Sequence, residues 1–422
     1  MKIAQIAPIW YRVPPKKYGG TEQVVSALTE GLVARGHEVT LFASEDSVSR
    51  AKLVSTVPKG IIEMGFPFSE IVHPLAHLLT AVAKPHQFDI LHFHFTFVFD
   101  YVTLALAAKL PNAIFTLHAP LPTDPERSHR LKLWQGSFKA IPLVSISNSQ
   151  RAGVPLNFVR TVYNGIDLAQ FSFNNEVGEK LLYLSRISVQ KGTATAIAVA
   201  QKLGKPLLLA GKVDPHSARD VVYFESEVKP LLSRGGIEEV GEINVSQKSE
   251  IYGQAKALLF PIAWEEPFGL VMIESMACGT PVVAFARGSV PEVVKDGVTG
   301  FIVEPEAEDV TGPAATVSRA SLQFNCEITA SSPSSPPRSE VKTPHGRPSS
   351  ASPVTSAPSW IIKKRGIEGL VEAVARIYAM PPEEYRAMRR ACRAHVEENF
   401  TVERMVEGYE RIYEQLRKGR NP

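Results

Sequence analysis

The sequence predicts two doubly wound α/β domains, each a parallel sheet covered by helices. Three observations carry the prediction. Short apolar, β-rich runs alternate with helical patterns over the first 165 residues, the same rhythm restarts after an Asn-Gly turn signal, and a chain of 422 residues is long enough for two cores.

The first unit opens with KIAQIAP, a run of strand length, followed by the helical pattern TEQVVSALTEGLVARG and the strand HEVTLFAS. Further on, DILHFHF, AIFTLHA, PLVSIS and VRTVYNG read as strands. The pair Asn164 and Gly165 marks a turn, and the hinge between the two units is placed near it. The second unit begins with KLLYLSR, continues with a helix through TATAIAVAQKLG, the strand KPLLLAG and a longer helical stretch, and then adds EEVGEI, KALLFP, PVVAFA and GFIVEP. These patterns set the first domain at residues 1–168 and the second at 175–398. Residues 312–359 are rich in Ser, Pro and Thr and too poor in apolar side chains to order themselves, so they read as a disordered insert or as an artefact of the gene record. Helical patterns resume in IEGLVEAVARIYAM, PPEEYRAMRRACRAHVEENF and TVERMVEGYERIYEQL.

Composition excludes several classes. With 44% hydrophobic and 21% charged residues the chain is an ordinary globular one, and a net charge of +3 without a long basic run gives no reason to expect nucleic acid as a partner. Cys278, Cys326 and Cys392 lie far apart with neither metal-ligand nor redox spacing, which fits a reducing compartment. No apolar run approaches a membrane span and a proline falls too early for a signal-peptide core, so the expected address is the cytoplasm. Arg386, Arg389, Arg390 and Arg393 recur at helical spacing; they read as a solvated face, the alternative being peripheral contact with anionic lipid at the inner membrane face.

The most informative stretch is WEEPFGLVMIESMACGTPVV, from Trp264. After Pro267, a residue suited to a first helical position, the residues are apolar on nearly every face until Gly279, which predicts a buried helix. Glu266 then stands where the helix begins, and Glu274 lies in its middle. A buried carboxylate needs a partner, so Glu274 calls for either an internal salt bridge or a ligand. Glu266 alone reads as a first-turn acid favoured by the helix dipole.

In doubly wound sheets, ligands bind beyond the carboxyl ends of the strands. Gly19 and Gly20, in KKYGGTE, would let backbone amides approach a phosphate there. Arg186 and Lys191, in SRISVQKGTA, are two cations around the next helix start. His118 ends FTLHA, and His92 and His94 end DILHFH; His118 is the candidate of the three, the others reading as structural. No G-x-S-x-G, D-x-D or H-E-x-x-H is present, which favours a reaction needing no metal and no cofactor.

Taken in order, YGGTEQVVSALTEGLVARGHEVTLFAS, the strand-end His118, YNGID, SRISVQKG, EEPFGLVMIESMACGTPVVAF and GSVPEVVKDGVTGFIV resemble a family-four (group 1) nucleotide-sugar glycosyltransferase of the GT-B fold, in which two Rossmann-like domains face each other across a cleft. The resemblance spans nearly the whole chain outside the insert. It implies that Glu266 lies against the donor sugar, that Glu274 accepts from the nucleotide ribose, and that Arg186 and Lys191 hold the donor diphosphate with help from Gly19 and Gly20. It also implies that His118 sits near the reacting sugar and that the helix over about 401–418 crosses back onto the first domain. Amides near Phe268 and Gly269 could donate to sugar hydroxyls. The implied reaction is transfer with retention to an acceptor sugar, lipid or small molecule. A nucleotide-sugar epimerase of the same fold and a non-catalytic binding protein are the alternatives.

Overall fold

The computed structural model describes residues 1–17, 19–96, 100–121, 128–176, 178–306 and 362–419. The insert predicted at 312–359, and Cys326 with it, lies outside the described residues.

Seven short strands make the first sheet: β1 (Lys2–Ile6), β2 (Glu38–Phe42), β3 (Lys52–Val54), β4 (Ile90–Phe95), β5 (Ala113–Leu117), β6 (Leu143–Ser145) and β7 (Phe158–Thr161). They pair in parallel in the order β3-β2-β1-β4-β5-β6-β7. Six more make the second, β8 (Leu181–Leu184), β9 (Leu207–Ala210), β10 (Ile237–Gly241), β11 (Ala257–Phe260), β12 (Val282–Phe285) and β13 (Gly300–Val303), also parallel, in the order β10-β9-β8-β11-β12-β13. Helices cover both faces, so β4, β5, β11 and β12 are buried along their whole length and read as near-continuous apolar runs. Strand order reverses beside β1 in one sheet and beside β8 in the other, and a crevice opens at such a switch point beyond the strand ends.

The helices, in chain order, are α1 (Gly20–Ala34), α2 (Val72–Val82), α3 (Asp100–Ala107), α4 (Ser128–Gln135), α5 (Thr193–Lys202), α6 (Ala218–Tyr223), α7 (Lys229–Leu232), α8 (Val245–Gln254), α9 (Leu270–Ala277), α10 (Val290–Val293), α11 (Gly366–Ala379), α12 (Pro382–Asn399) and α13 (Val402–Lys418). Although last in sequence, α13 completes the core of the first domain. Its apolar stripe of Met405, Val406, Tyr409, Ile412 and Tyr413 packs with Ile3, Val24, Leu28, Ile90 and Ile114. The chain therefore crosses between the domains twice, and the crossings pair with each other: Ile166 N–H donates to Phe400 O at 2.9 Å and Val402 N–H to Ile166 O at 3.2 Å. Tyr163, Phe268 and Phe400 cluster there, with ring centroids 5.7–6.1 Å apart.

Three sequence expectations need correction. His92 and His94 do not end their strand; they are interior residues of β4, buried on one face. The arginines of α12 do not form a uniformly solvated face. Arg389 is 2% exposed and its guanidinium donates to the carbonyls of Asn174, Gly253 and Cys278, while Arg393 donates to those of Phe171 and Ala277. Carbonyls left unpaired at the ends of α8 and α9 attract a cation, and helical spacing alone does not reveal them. Arg386 is exposed and pairs with Glu383 on its own helix. The third correction concerns the start of α9 and belongs with the site. Among the described residues no helix is long and apolar enough to cross a membrane, and Cys278 and Cys392 are free and buried.

Candidate active site

The loops beyond β1, β5, β8, β9 and β11 converge on a cavity of about 410 Å³ between the two domains. It is lined from the first domain by Gly19, Gly20, His118 and Asn164, and from the second by Arg186, Lys191, Lys248, Glu266, Phe268, Gly269 and Glu274. Every site residue singled out in the sequence thus borders one cavity.

The glycine loop after β1 is shaped by its packing. Gly19 has φ +140°, and a Cβ there would lie 2.8 Å from Pro15 Cβ and 2.9 Å from a Glu22 oxygen. Gly20 begins α1, and a Cβ on it would meet Leu270 at 3.7 Å, so the N-termini of α1 and α9 come into contact at the edge of the cavity. Glu22, in the first turn of α1, is 3% exposed, and burial pushes its carboxyl up to about 8.

The helix expected after Pro267 begins three residues later. Gly269 is its N-cap with φ +77°, and a Cβ there would crowd Phe260 and Met272. The carbonyls of Glu266 and Phe268, which would start the ladder of a longer helix, are instead taken by the Ser289 amide at 2.9 Å and the Ser289 hydroxyl at 2.8 Å. Glu266 consequently lies in a pinned loop ahead of the helix and is not a first-turn acid. Its Oε2 accepts from Lys191 Nζ at 2.6 Å and Trp264 Nε1 at 2.9 Å, and Lys191 sits 4.6 Å from the Trp264 ring centroid. The Phe268 ring is committed to the aromatic cluster between the domains, so its contribution to a ligand would come from the main chain.

Glu274 is fully buried and has its partners within the protein. Lys248 Nζ lies 2.8 and 2.9 Å from its two oxygens, and the Tyr252 hydroxyl donates to Oε2 at 2.8 Å. With Lys248 as its one hydrogen-bond partner, Oε1 keeps one acceptor position. Arg186 is bound far less firmly. Its guanidinium reaches Asp220 only at 3.8 Å, and Nε has no hydrogen-bond partner among the described residues. At the mouth of the cavity Glu242 lies 3.0 Å from Lys212 and 3.9 Å from Lys17, one cation from each domain. On the first-domain wall His118 is half-buried, with Nε2 3.0 Å from His94 Nδ1, and desolvation pushes it down to about 3, so the ring is neutral.

Family comparison matches this arrangement from both halves. Residues 18–170 fit the model for Glycosyltransferase Family 4 and residues 167–316 the model for Glycosyl transferases group 1. The chain belongs to the group 1 glycosyltransferases. Relatives of this glycosyltransferase include an uncharacterised glycosyltransferase of Methanocaldococcus jannaschii, 25% identical over 73% of this chain and 86% of that protein. A phosphatidyl-myo-inositol mannosyltransferase of Mycolicibacterium smegmatis is 27% identical over 75% and 84%. Among solved structures, sucrose-phosphate synthase from Thermosynechococcus elongatus superposes with a TM-score of 0.70 at 19% identity, covering 99% of both chains. An Anabaena protein solved with UDP and glucose gives 0.65 at 14%, covering 98% of this chain and 100% of that one. The glycosyltransferase fold is therefore GT-B.

Sequence reasoning missed Lys248, Tyr252 and Trp264, the groups that hold the two glutamates of this glycosyltransferase. Lys248 and Tyr252 stand 26 and 22 residues before Glu274, on α8, with no motif to connect them. The one available signal was the carboxylate itself: a buried acid implies a cation nearby, and Lys248 is on the helix that precedes β11 and packs against α9.

Proposed function

We propose that this glycosyltransferase transfers a hexose, with retention of configuration, from a nucleoside-diphosphate sugar to an acceptor that enters along the first domain. The observation that carries the reading is Arg186. A guanidinium whose side chain is only 28% exposed, with an unpartnered Nε, stands just beyond β8 in a cavity shared with the glycine loop and Lys191. A diphosphate supplies the acceptors that such a group lacks. As the glycosidic bond breaks, negative charge grows on the departing diphosphate, and Arg186 and Lys191 are already in place to stabilise it. These cations supply the charge a metal would otherwise bring, so the reading includes turnover without a divalent ion.

Glu274, held by Lys248 and Tyr252, presents its remaining Oε1 acceptor to a ribose hydroxyl. Glu266, fixed by Lys191 and Trp264, has its free Oε1 for the sugar, and the amides leading into α9 face the same space. When a diphosphate arrives, Lys191 has two competing anions, which couples donor binding to the position of Glu266. Family kinship is the support for retention, and the Anabaena neighbour with UDP and glucose agrees with a nucleotide-sugar donor.

Thermal stabilisation by UDP, GDP, ADP and their glucose or mannose conjugates tests the reading. At a hundred times its dissociation constant a ligand adds about 2.7 kcal/mol, and one nucleotide should do so. The conjugate that stabilises should be turned over in the presence of EDTA, with the anomeric configuration of the product read by NMR. Stabilisation by none of them would remove the donor assignment.

A further inference from the structure

His118 is the outer end of a buried chain of hydrogen bonds that crosses the first domain. Behind it, His94 Nε2 lies 2.7 Å from Gln5 Oε1, and the Gln5 amide nitrogen donates to the Tyr413 hydroxyl at 3.1 Å. That hydroxyl is 2.7 Å from His92 Nδ1, His92 Nε2 is 2.7 Å from Thr116 Oγ1, and Thr116 meets the Tyr409 hydroxyl at 3.0 Å. Gln5, His92, Thr116, Tyr409 and Tyr413 are fully buried. The chain thus links β1, β4 and β5 to α13, and a residue near the end of the sequence shares a network with the cavity.

The chain has a direction. Burial keeps the three rings neutral, and a neutral imidazole has one nitrogen that donates and one that accepts. Gln5 Oε1 can only accept, so the proton of His94 is on Nε2 and its Nδ1 is bare. The 3.0 Å contact between His94 and His118 then needs the proton of His118, which must be on Nε2. His118 Nδ1 is left with its lone pair, without a partner among the described residues.

We infer that His94 is a positioning residue which, through Gln5 and Tyr413, fixes the tautomer of His118 and makes its Nδ1 a hydrogen-bond acceptor toward the cavity. The chemistry that fits is a ligand hydroxyl, which donates; a carboxylate or phosphate oxygen would meet a lone pair and be repelled. Naming the ligand group as a hydroxyl rests on the reading of the cavity as a sugar-transfer site. The tautomer does not.

The test is NMR of the full-length protein carrying isotope-labelled histidine, with His118 assigned by the loss of its signals in His118→Gln. In the wild type the proton is expected on Nε2 throughout the neutral pH range. Gln5→Leu and Tyr413→Phe each break the chain at a different point, and in either His118 should show a mixture of tautomers. In those variants kcat should fall about tenfold with little change in donor KM, the size of one neutral hydrogen bond. A proton on Nδ1 of His118 in the wild type would mean the chain runs the other way, and it overturns the inference even if both variants fail to fold. Unaltered tautomers in two folded variants would do the same. Absence of turnover with every nucleotide sugar would count against the proposed function while leaving the tautomer result intact.

Discussion

The two walls of the cavity bury polar groups by opposite means. On the second-domain wall the groups are charged and paired: Lys191 with Glu266, Lys248 with Glu274, and Arg186 loosely with Asp220. On the first-domain side the buried groups are neutral, with His118 on the wall and His94 behind it uncharged in their hydrogen-bonded chain, and Glu22, behind Gly19, holding a proton near neutrality. A charge taken out of water must keep a partner, whereas a neutral group needs only its hydrogen bonds. The charged wall is therefore suited to meet an anion and the neutral wall to orient hydroxyls. In the proposed reading, this difference places the leaving group on one domain and the reacting hydroxyls on the other.

The largest effect should come from breaking a pair on the charged wall. Lys248→Met strands the buried Glu274 carboxylate and should cost about 3–5 kcal/mol of stability, read from urea unfolding of the purified variant. Unchanged stability would show that the pair does not hold α8 against α9. Next is Arg186→Ala, the removal of the least committed cation. It should lower turnover on the order of 10²-fold in a folded protein, as for other single stabilisers of transition-state charge. Near-normal rates would move the diphosphate away from β8.

The neutral wall predicts a pH effect. The folded-state value of Glu22, about 8, lies above its ordinary 4.5, so between these values the folded protein holds a proton that the unfolded chain has lost. Its contribution to stability is present below pH 4.5 and is lost as pH rises toward 8. His118, pushed from 6.5 down to about 3, has the opposite sign and weakens the fold as pH falls below 6.5. Glu22→Gln, neutral at every pH, should remove the decline on the alkaline side, and urea unfolding at several pH values checks it. A decline that persists in the variant would contradict a protonated Glu22. The smallest effect is expected at the mouth, where Lys17→Ala breaks a half-exposed pair 3.9 Å long. Stability should change by less than about 1 kcal/mol in a thermal melt, because solvent screens such contacts.

The residues that could be read from the sequence are those whose chemistry is local. Strand-length apolar runs gave the sheets, the alternation of strand and helix gave their parallel sense, and Glu274 announced a need by being charged in an apolar helix. The three-residue edge strand β3 went unseen because Lys52–Val54 has no period long enough to register and is only partly buried. The start of α9 was misplaced because Ser289, more than twenty residues away in the chain, takes the carbonyls on which a longer helix depends. Arg389 was misread for the same reason: the carbonyls that draw it inward come from three separate segments. The histidine chain depended on tertiary placement from the outset, since Gln5 and Tyr413 are 408 residues apart.

The division of labour between the walls is tested most directly by titrating wild type, Arg186→Ala and His118→Ala with the stabilising nucleoside diphosphate in a calorimeter. The side chains that hold that ligand should be those of the charged wall. Affinity is expected to fall by about tenfold or more in Arg186→Ala, the worth of a charge-assisted hydrogen bond, and to stay within about twofold of wild type in His118→Ala. An equal loss in both variants, or a loss only in His118→Ala, would contradict the account.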